Sequence, residues 1–138
     1  MPVILDVSLS ISLPSPASVT VKVNYTIKSD PVYNDDGYWR ESVDLYGAGA
    51  AGYYVAIPGS EIYGPQQRFQ RTPVQFIRNL EKTFPITLFL QPNQSVRTLY
   101  YSTVMARAKA TPTEIQSISH PSNIVPLVVP KPMATLKL

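Results

Sequence analysis

Val19-Thr-Val-Lys-Val-Asn-Tyr-Thr-Ile-Lys28 decides the fold class. Its odd positions, Val19, Val21, Val23, Tyr25 and Ile27, are apolar, and Thr20, Lys22, Asn24, Thr26 and Lys28 lie between them. Successive side chains of a strand point to opposite faces, so this is a strand with one dry face and one wet face. A helix would scatter the same five apolar residues around its circumference. Upstream, Val3, Leu5, Val7, Leu9, Ile11 and Leu13 alternate in the same way, which predicts a first strand that also turns its odd-numbered residues inward. Pro14-Ser-Pro-Ala-Ser18 supplies the turn formers between the two, for a hairpin or a crossover between sheets.

Downstream the signals are mixed. Residues 29–37 read as a loop turning at Asp36-Gly37, and Tyr38 to Tyr46 as a strand with Trp39, Val43 and Leu45 in the core. After a glycine loop, Tyr53 to Ile57 reads as a short strand stopped by Pro58-Gly59, and Ser60 to Arg71 as a loop. Thr72-Pro-Val-Gln75 has the form of a helix start, with Thr72 as cap, Pro73 first and Gln75 three residues on. Val74, Ile77 and Leu80 then share a helical face, which predicts one connecting helix over about 73–82, ended by Phe84-Pro85. Ile86 to Gln91 and Val96 to Lys109 read as a second β pair around Pro92-Asn93-Gln94, and Glu114 to Ser119 as a short helix or a last strand. From residue 121, Pro121, Pro126, Pro130 and Pro132 predict an extended C-terminal arm over 121–138, following a domain over 1–120.

Composition agrees with one β domain. At 138 residues, about two-thirds of the extended chain's surface leaves water on folding, enough for a real core. The 14 prolines favour turns over helices, and the lack of cysteine excludes disulfides, thiolate metal sites and cysteine nucleophiles. No basic start followed by an unbroken apolar run is seen, so no signal peptide is expected, and no stretch approaches the ~20 apolar residues of a membrane span. Charge is uneven. Residues 1–64 carry three bases against seven acids, a net of −4, and residues 65–138 carry nine against two, a net of +7. Opposite halves suit head-to-tail contact between copies, although folding can intermix them.

Motifs with chemistry are sparse. Gly47-Ala-Gly-Ala-Ala-Gly52 spells the dinucleotide-binding pattern, but Tyr53 to Ile57 is strand-like and Pro58 would break a helix, so a loop between antiparallel strands is expected instead. Asn34, Asp35, Asp36, Glu41 and Asp44 gather oxygen ligands without any calcium-loop spacing, and Arg40 sits among them, so a solvated acidic loop and no metal is expected. His120, the only histidine, falls in an exposed-looking Ser-His-Pro-Ser loop with no nucleophile elbow in support. Tyr33, Tyr38, Trp39, Tyr46, Tyr53, Tyr54 and Tyr63 crowd into one third of the chain, which suits a protein interface, a sugar-stacking platform, or the rim of a β core. Their acidic surroundings disfavour nucleic acid.

The expectation is therefore a single β-sandwich, immunoglobulin-like or jelly-roll, of seven or eight strands with one short helix and an arm. Cysteine-free, compact, without a signal and with a proline-rich end, the chain resembles in general character small virion proteins of tailed bacteriophages. Those are capsid cement or decoration proteins and tail-tube or adaptor subunits. The resemblance implies a non-enzymatic structural subunit of a multi-copy assembly, located in a virion put together in the host cytoplasm. Its partners would be copies of itself or another structural protein of the assembly, with no cofactor, nucleic acid or membrane. Leu127, Val128, Val129, Met133 and Leu136 of the arm, with Tyr46, Tyr53 and Tyr54, are the expected partner-binding residues. The alternative is a carbohydrate-binding or adhesive module using the aromatic loops of residues 33–63.

Overall fold

A computed structural model of the chain describes residues 2–31, 37–48, 53–89, 96–108 and 115–128. Among these residues ten strands follow one another: β1 (Val3–Ser15), β2 (Ser18–Ser29), β3 (Tyr38–Ala48), β4 (Tyr54–Ala56), β5 (Ile62–Tyr63), β6 (Gln67–Arg68), β7 (Val74–Pro85), β8 (Val96–Ala108), β9 (Ile115–Pro121) and β10 (Val125–Val128). They form two antiparallel sheets, one in the order β1-β2-β7. In the other, β3 and β8 lie side by side, with β4, β5 and β6 along the outer side of β3 and β9 and β10 along the outer side of β8. The fold is all-β and sandwich-like, with no α-helix among the described residues.

The hairpin that decides the fold class is present. Val19, Val21, Val23, Tyr25 and Ile27 of β2 are all buried, facing Trp39, Val43 and Leu45 of β3 and Leu99 and Tyr101 of β8 in one core. Each such aliphatic side chain removed from water contributes about 1.5–3 kcal/mol.

In β1 the expected parity holds only in part. The pairs Leu5↔Thr26 and Ser8↔Asn24 leave Asp6 and Val7 opposite the single residue Tyr25, a bulge in which Asp6 takes φ 55°. Aspartate tolerates that left-handed conformation better than most residues, and the extra residue flips every side chain beyond it. Ile4 is therefore buried before the bulge and Val7 and Leu9 after it, while Val3 and Leu13 are exposed.

The expected helix over 73–82 is a strand. β7 pairs with β2 without interruption from Ser29↔Val74 to Ser18↔Pro85, so its backbone groups join a sheet ladder. Val74, Phe76, Leu80 and Phe84 turn toward the core at a spacing of two or four, and Gln75, Ile77, Asn79, Glu81 and Thr83 face outward. The expected strand at Ile86 begins instead with a 3-10 turn, Ile86–Leu88, whose first N–H bonds Ala17 O at 2.8 Å.

The chain end also departs from expectation. Residues 115–128 run along β8 as an almost continuous strand, since Ser102↔Pro121 and Leu99↔Val125 differ in register by one residue. At that irregularity Ser122 N–H bonds Tyr101 O at 3.0 Å, and Asn123 turns its carboxamide onto β1. There it accepts from Leu9 N–H at 2.8 Å and donates to Leu9 C=O at 3.2 Å, pairing with the edge of the other sheet as a strand would. Residues 121–128, expected to begin an arm, thus belong to the folded domain, and residues 129–138 lie outside the described residues.

Candidate functional site

β3 presents two chemically different faces. Trp39, Glu41, Val43 and Leu45 point inward, whereas Tyr38, Arg40, Ser42, Asp44 and Tyr46 point outward. The inward face holds an acidic side chain. Glu41 accepts from the Tyr25 hydroxyl at 2.5 Å and from Trp39 Nε1–H at 2.9 Å, and its carboxylate is forked by Arg78 at 3.1–3.2 Å. A buried carboxylate is tolerable only when paired and hydrogen-bonded, and here both oxygens are. Burial and Glu41 together push the Tyr25 phenol pKa far up, so the phenol stays a donor. β2 and β7 of one sheet are thereby tied to β3 of the other. Gly64 closes over the network because a Cβ there would come within 3.0 Å of Glu41 Cβ and 3.1 Å of the Tyr25 oxygen.

Both carboxylate oxygens are taken up by protein partners and the Glu41 side chain is fully buried, so the cluster is a structural tie. It also corrects the acidic-loop expectation: Glu41 and Asp44 belong to strand β3, on its opposite faces, and Glu41 is buried rather than solvated. Asn34, Asp35 and Asp36 lie outside the described residues, as does Tyr33. No group of three metal-ligating side chains occurs among the described residues.

The outward face carries the aromatics. Tyr46 and Tyr100, a pair across β3 and β8, lie 6.1 Å apart, and Tyr54 of β4 packs on Tyr100 at 5.1 Å, all three rings tilted to one another. Asp44 lies on the same face, its carboxyl pKa raised by burial and by the nearby Glu61 charge. At the edge, Tyr53 and Tyr63 are each 74% exposed and Val55 55%, far more than large apolar side chains usually are. Of the expected partner-binding residues, Tyr46, Tyr53 and Tyr54 thus fall in one region. Tyr100 joins them on the outward face, while Val55 lies on the other face of β4 and Tyr63 further along the same edge, opposite Ser42. Tyr100 had a sequence signal in its even parity on β8, but its proximity to Tyr54 depends on register.

Leu127 is corrected outright: at 1% exposure it fills the chain's own core and is not available to a neighbour. Val128, next to it, is exposed. Val129, Met133 and Leu136 lie outside the described residues. Gly47 is a buried β3 residue paired with Val55 and Leu99, and residues 49–52 of the glycine motif lie outside the described residues. His120 belongs to β9, opposite Thr103, and its Nδ1 lies 2.7 Å from Pro121 O.

No family model matches the chain, and no curated protein matches it.

Proposed function

We propose that this chain is a non-enzymatic structural subunit of a multi-copy assembly, joined to copies of itself or to another structural protein of the same assembly. The observation that carries the reading is the row of exposed large side chains along one edge of a sheet, Tyr53 and Val55 at β4 and Tyr63 further along at β5, with the Tyr46, Tyr54 and Tyr100 rings on the outward face of that sheet. Rigid rings with a polar tip are what protein interfaces favour. The proposed setting is a tailed-bacteriophage virion, as capsid cement, decoration or tail-type protein, and it is supported by the resemblance in general character alone. Val128 and the residues beyond it, Val129, Met133 and Leu136, remain proposed contacts.

For the sandwich itself we propose the immunoglobulin-like alternative over the jelly roll. Two features support it: the order β1-β2-β7 against edge-β3-β8-edge, and a buried Trp39 on the third strand, where immunoglobulin sandwiches carry one.

The test compares the intact chain with a Tyr53→Ser, Val55→Ser, Tyr63→Ser variant by sedimentation. All three side chains are exposed, so the fold tolerates the changes. The intact chain associates and the variant does not; equal sedimentation of the two contradicts the reading.

A second reading is favoured by one observation, the Tyr46, Tyr54 and Tyr100 rings on the same face as Asp44. Rings and a carboxylate together suit a carbohydrate. Saturable quenching of tyrosine fluorescence by soluble oligosaccharides, in a chain that stays monomeric, would decide for that reading.

A further inference from the structure

The edges of the two sheets are not alike. On β1, Asn123 occupies the backbone groups of Leu9. β7 carries Arg78, Glu81 and Lys82, charges that discourage a further strand. On β10, Leu99↔Val125 and Pro126↔Thr98 place Pro126 where its missing N–H would have pointed outward, because odd β8 residues bond this side, as Tyr101 O does with Ser122. β4 has none of these devices, and among the described residues no strand lies on its outer side.

Which groups β4 offers can be read from its neighbour. Along β3 the carbonyls of Gly37, Glu41 and Leu45 receive N–H groups from Phe69, Gly64 and Ile57, so odd β3 residues bond toward this edge. Gly47↔Val55 is then the hydrogen-bonded pair, and the N–H and C=O of Tyr54 and Ala56 point outward.

From this pattern we infer that β4 pairs with β4 of a second copy, antiparallel, about a two-fold axis through Val55. In that register each Tyr54 lies opposite the other copy's Ala56, and both residues carry outward donors and acceptors, so four backbone hydrogen bonds close. The side chains agree. Tyr54 sits across from a small Ala56, which leaves its ring free to stay packed on Tyr100 of its own copy while the two backbones approach. Val55 meets Val55 on the opposite face, and the two four-rowed sheets become one.

The contact is small. With ~200 Å² for a tyrosine side chain, Tyr53, Tyr54 and Val55 hide roughly 600 Å² in a pair, below the ~1,000 Å² of a self-sufficient interface. A single joint is therefore weak, and it holds where other contacts repeat it. The inference rests on the assembly reading and names its partner and register.

The chain has no cysteine, which makes a clean test. A non-hydrogen-bonded pair has Cα atoms ~4.5 Å apart, inside the range a disulfide spans. Three full-length variants, Val55→Cys, Ile77→Cys on β7 and Val128→Cys on β10, are incubated with oxidised glutathione. Each disulfide formed reduces one molecule of that oxidant to two thiols. Val55→Cys is expected to give covalent dimer at least ~10-fold faster than the other two. Adding Ala56→Pro, which removes an outward N–H and no bond to β3, is expected to suppress that link with an unchanged circular dichroism spectrum. If Ile77→Cys or Val128→Cys links as fast or faster, the β4 joint is wrong, and continued association of the unsubstituted chain would leave the assembly reading standing. If no variant links and the unsubstituted chain sediments as a monomer, both fail.

Discussion

Glu41 is the residue on which the interior turns, because its carboxylate is the acceptor for groups from three strands. Glu41→Gln keeps the shape but removes the charge opposite Arg78 and turns an amide donor toward Trp39 or Tyr25. Breaking a buried pair in this way is expected to cost about 3–5 kcal/mol in urea unfolding. Arg78→Met should cost a comparable amount, and the double variant less than the sum of the two, which a double-mutant cycle measures. Asp44 works in the opposite direction. Its pKa is raised in the folded state, so the folded state binds its proton more tightly than the unfolded state does. Its contribution is therefore fully present in acid, below the ordinary carboxylate pKa, and is lost as pH rises through the raised one. Asp44→Asn should stabilise the protein at neutral pH and leave it unchanged in acid, read from denaturation midpoints at the two conditions.

At the scale of elements, β7 separates two accounts of the same residues. In a helix Ile77 would be core, but in the strand it is 69% exposed on the outer face while Phe84 is buried. Ile77→Thr is expected to change stability by less than about 0.5 kcal/mol, and Phe84→Ala to cost about 3–5 kcal/mol. The reverse order in thermal unfolding would restore the helix. The hairpin of β1 and β2 was legible from alternation because β2 has no exception over ten residues. β7 was not, because Arg78 and Lys82 stand at inward parity and disguise the alternation. The structure explains both: Arg78 is neutralised by Glu41, and Lys82 reaches back over the Phe84 ring to Glu61 O at 3.2 Å. Glu41 shares the parity of Trp39, Val43 and Leu45, so an inward acid and an inward base were both visible as oddities. Only the pairing of sheets joins them. The tyrosine face was legible as a crowd of rings, but not Tyr100, which enters through register.

On the scale of the whole molecule, the folded domain runs past Pro121 and Pro126 to include β10. Of two shortened chains, one ending at Val128 and one at Ile124, the second also removes Leu127 from the core and β10 from its sheet. The second truncation is expected to lower the midpoint by several degrees, since burying one leucine is worth about 1.5–3 kcal/mol. An exposed aromatic edge at β4, on a domain whose β1, β7 and β10 edges carry devices against further pairing, points to association between copies. The most direct test is the native mass of the intact chain in solution over a wide range of concentration. The account predicts a mass that rises with concentration to multiples of 15.3 kDa; a value that stays at one chain throughout would contradict it.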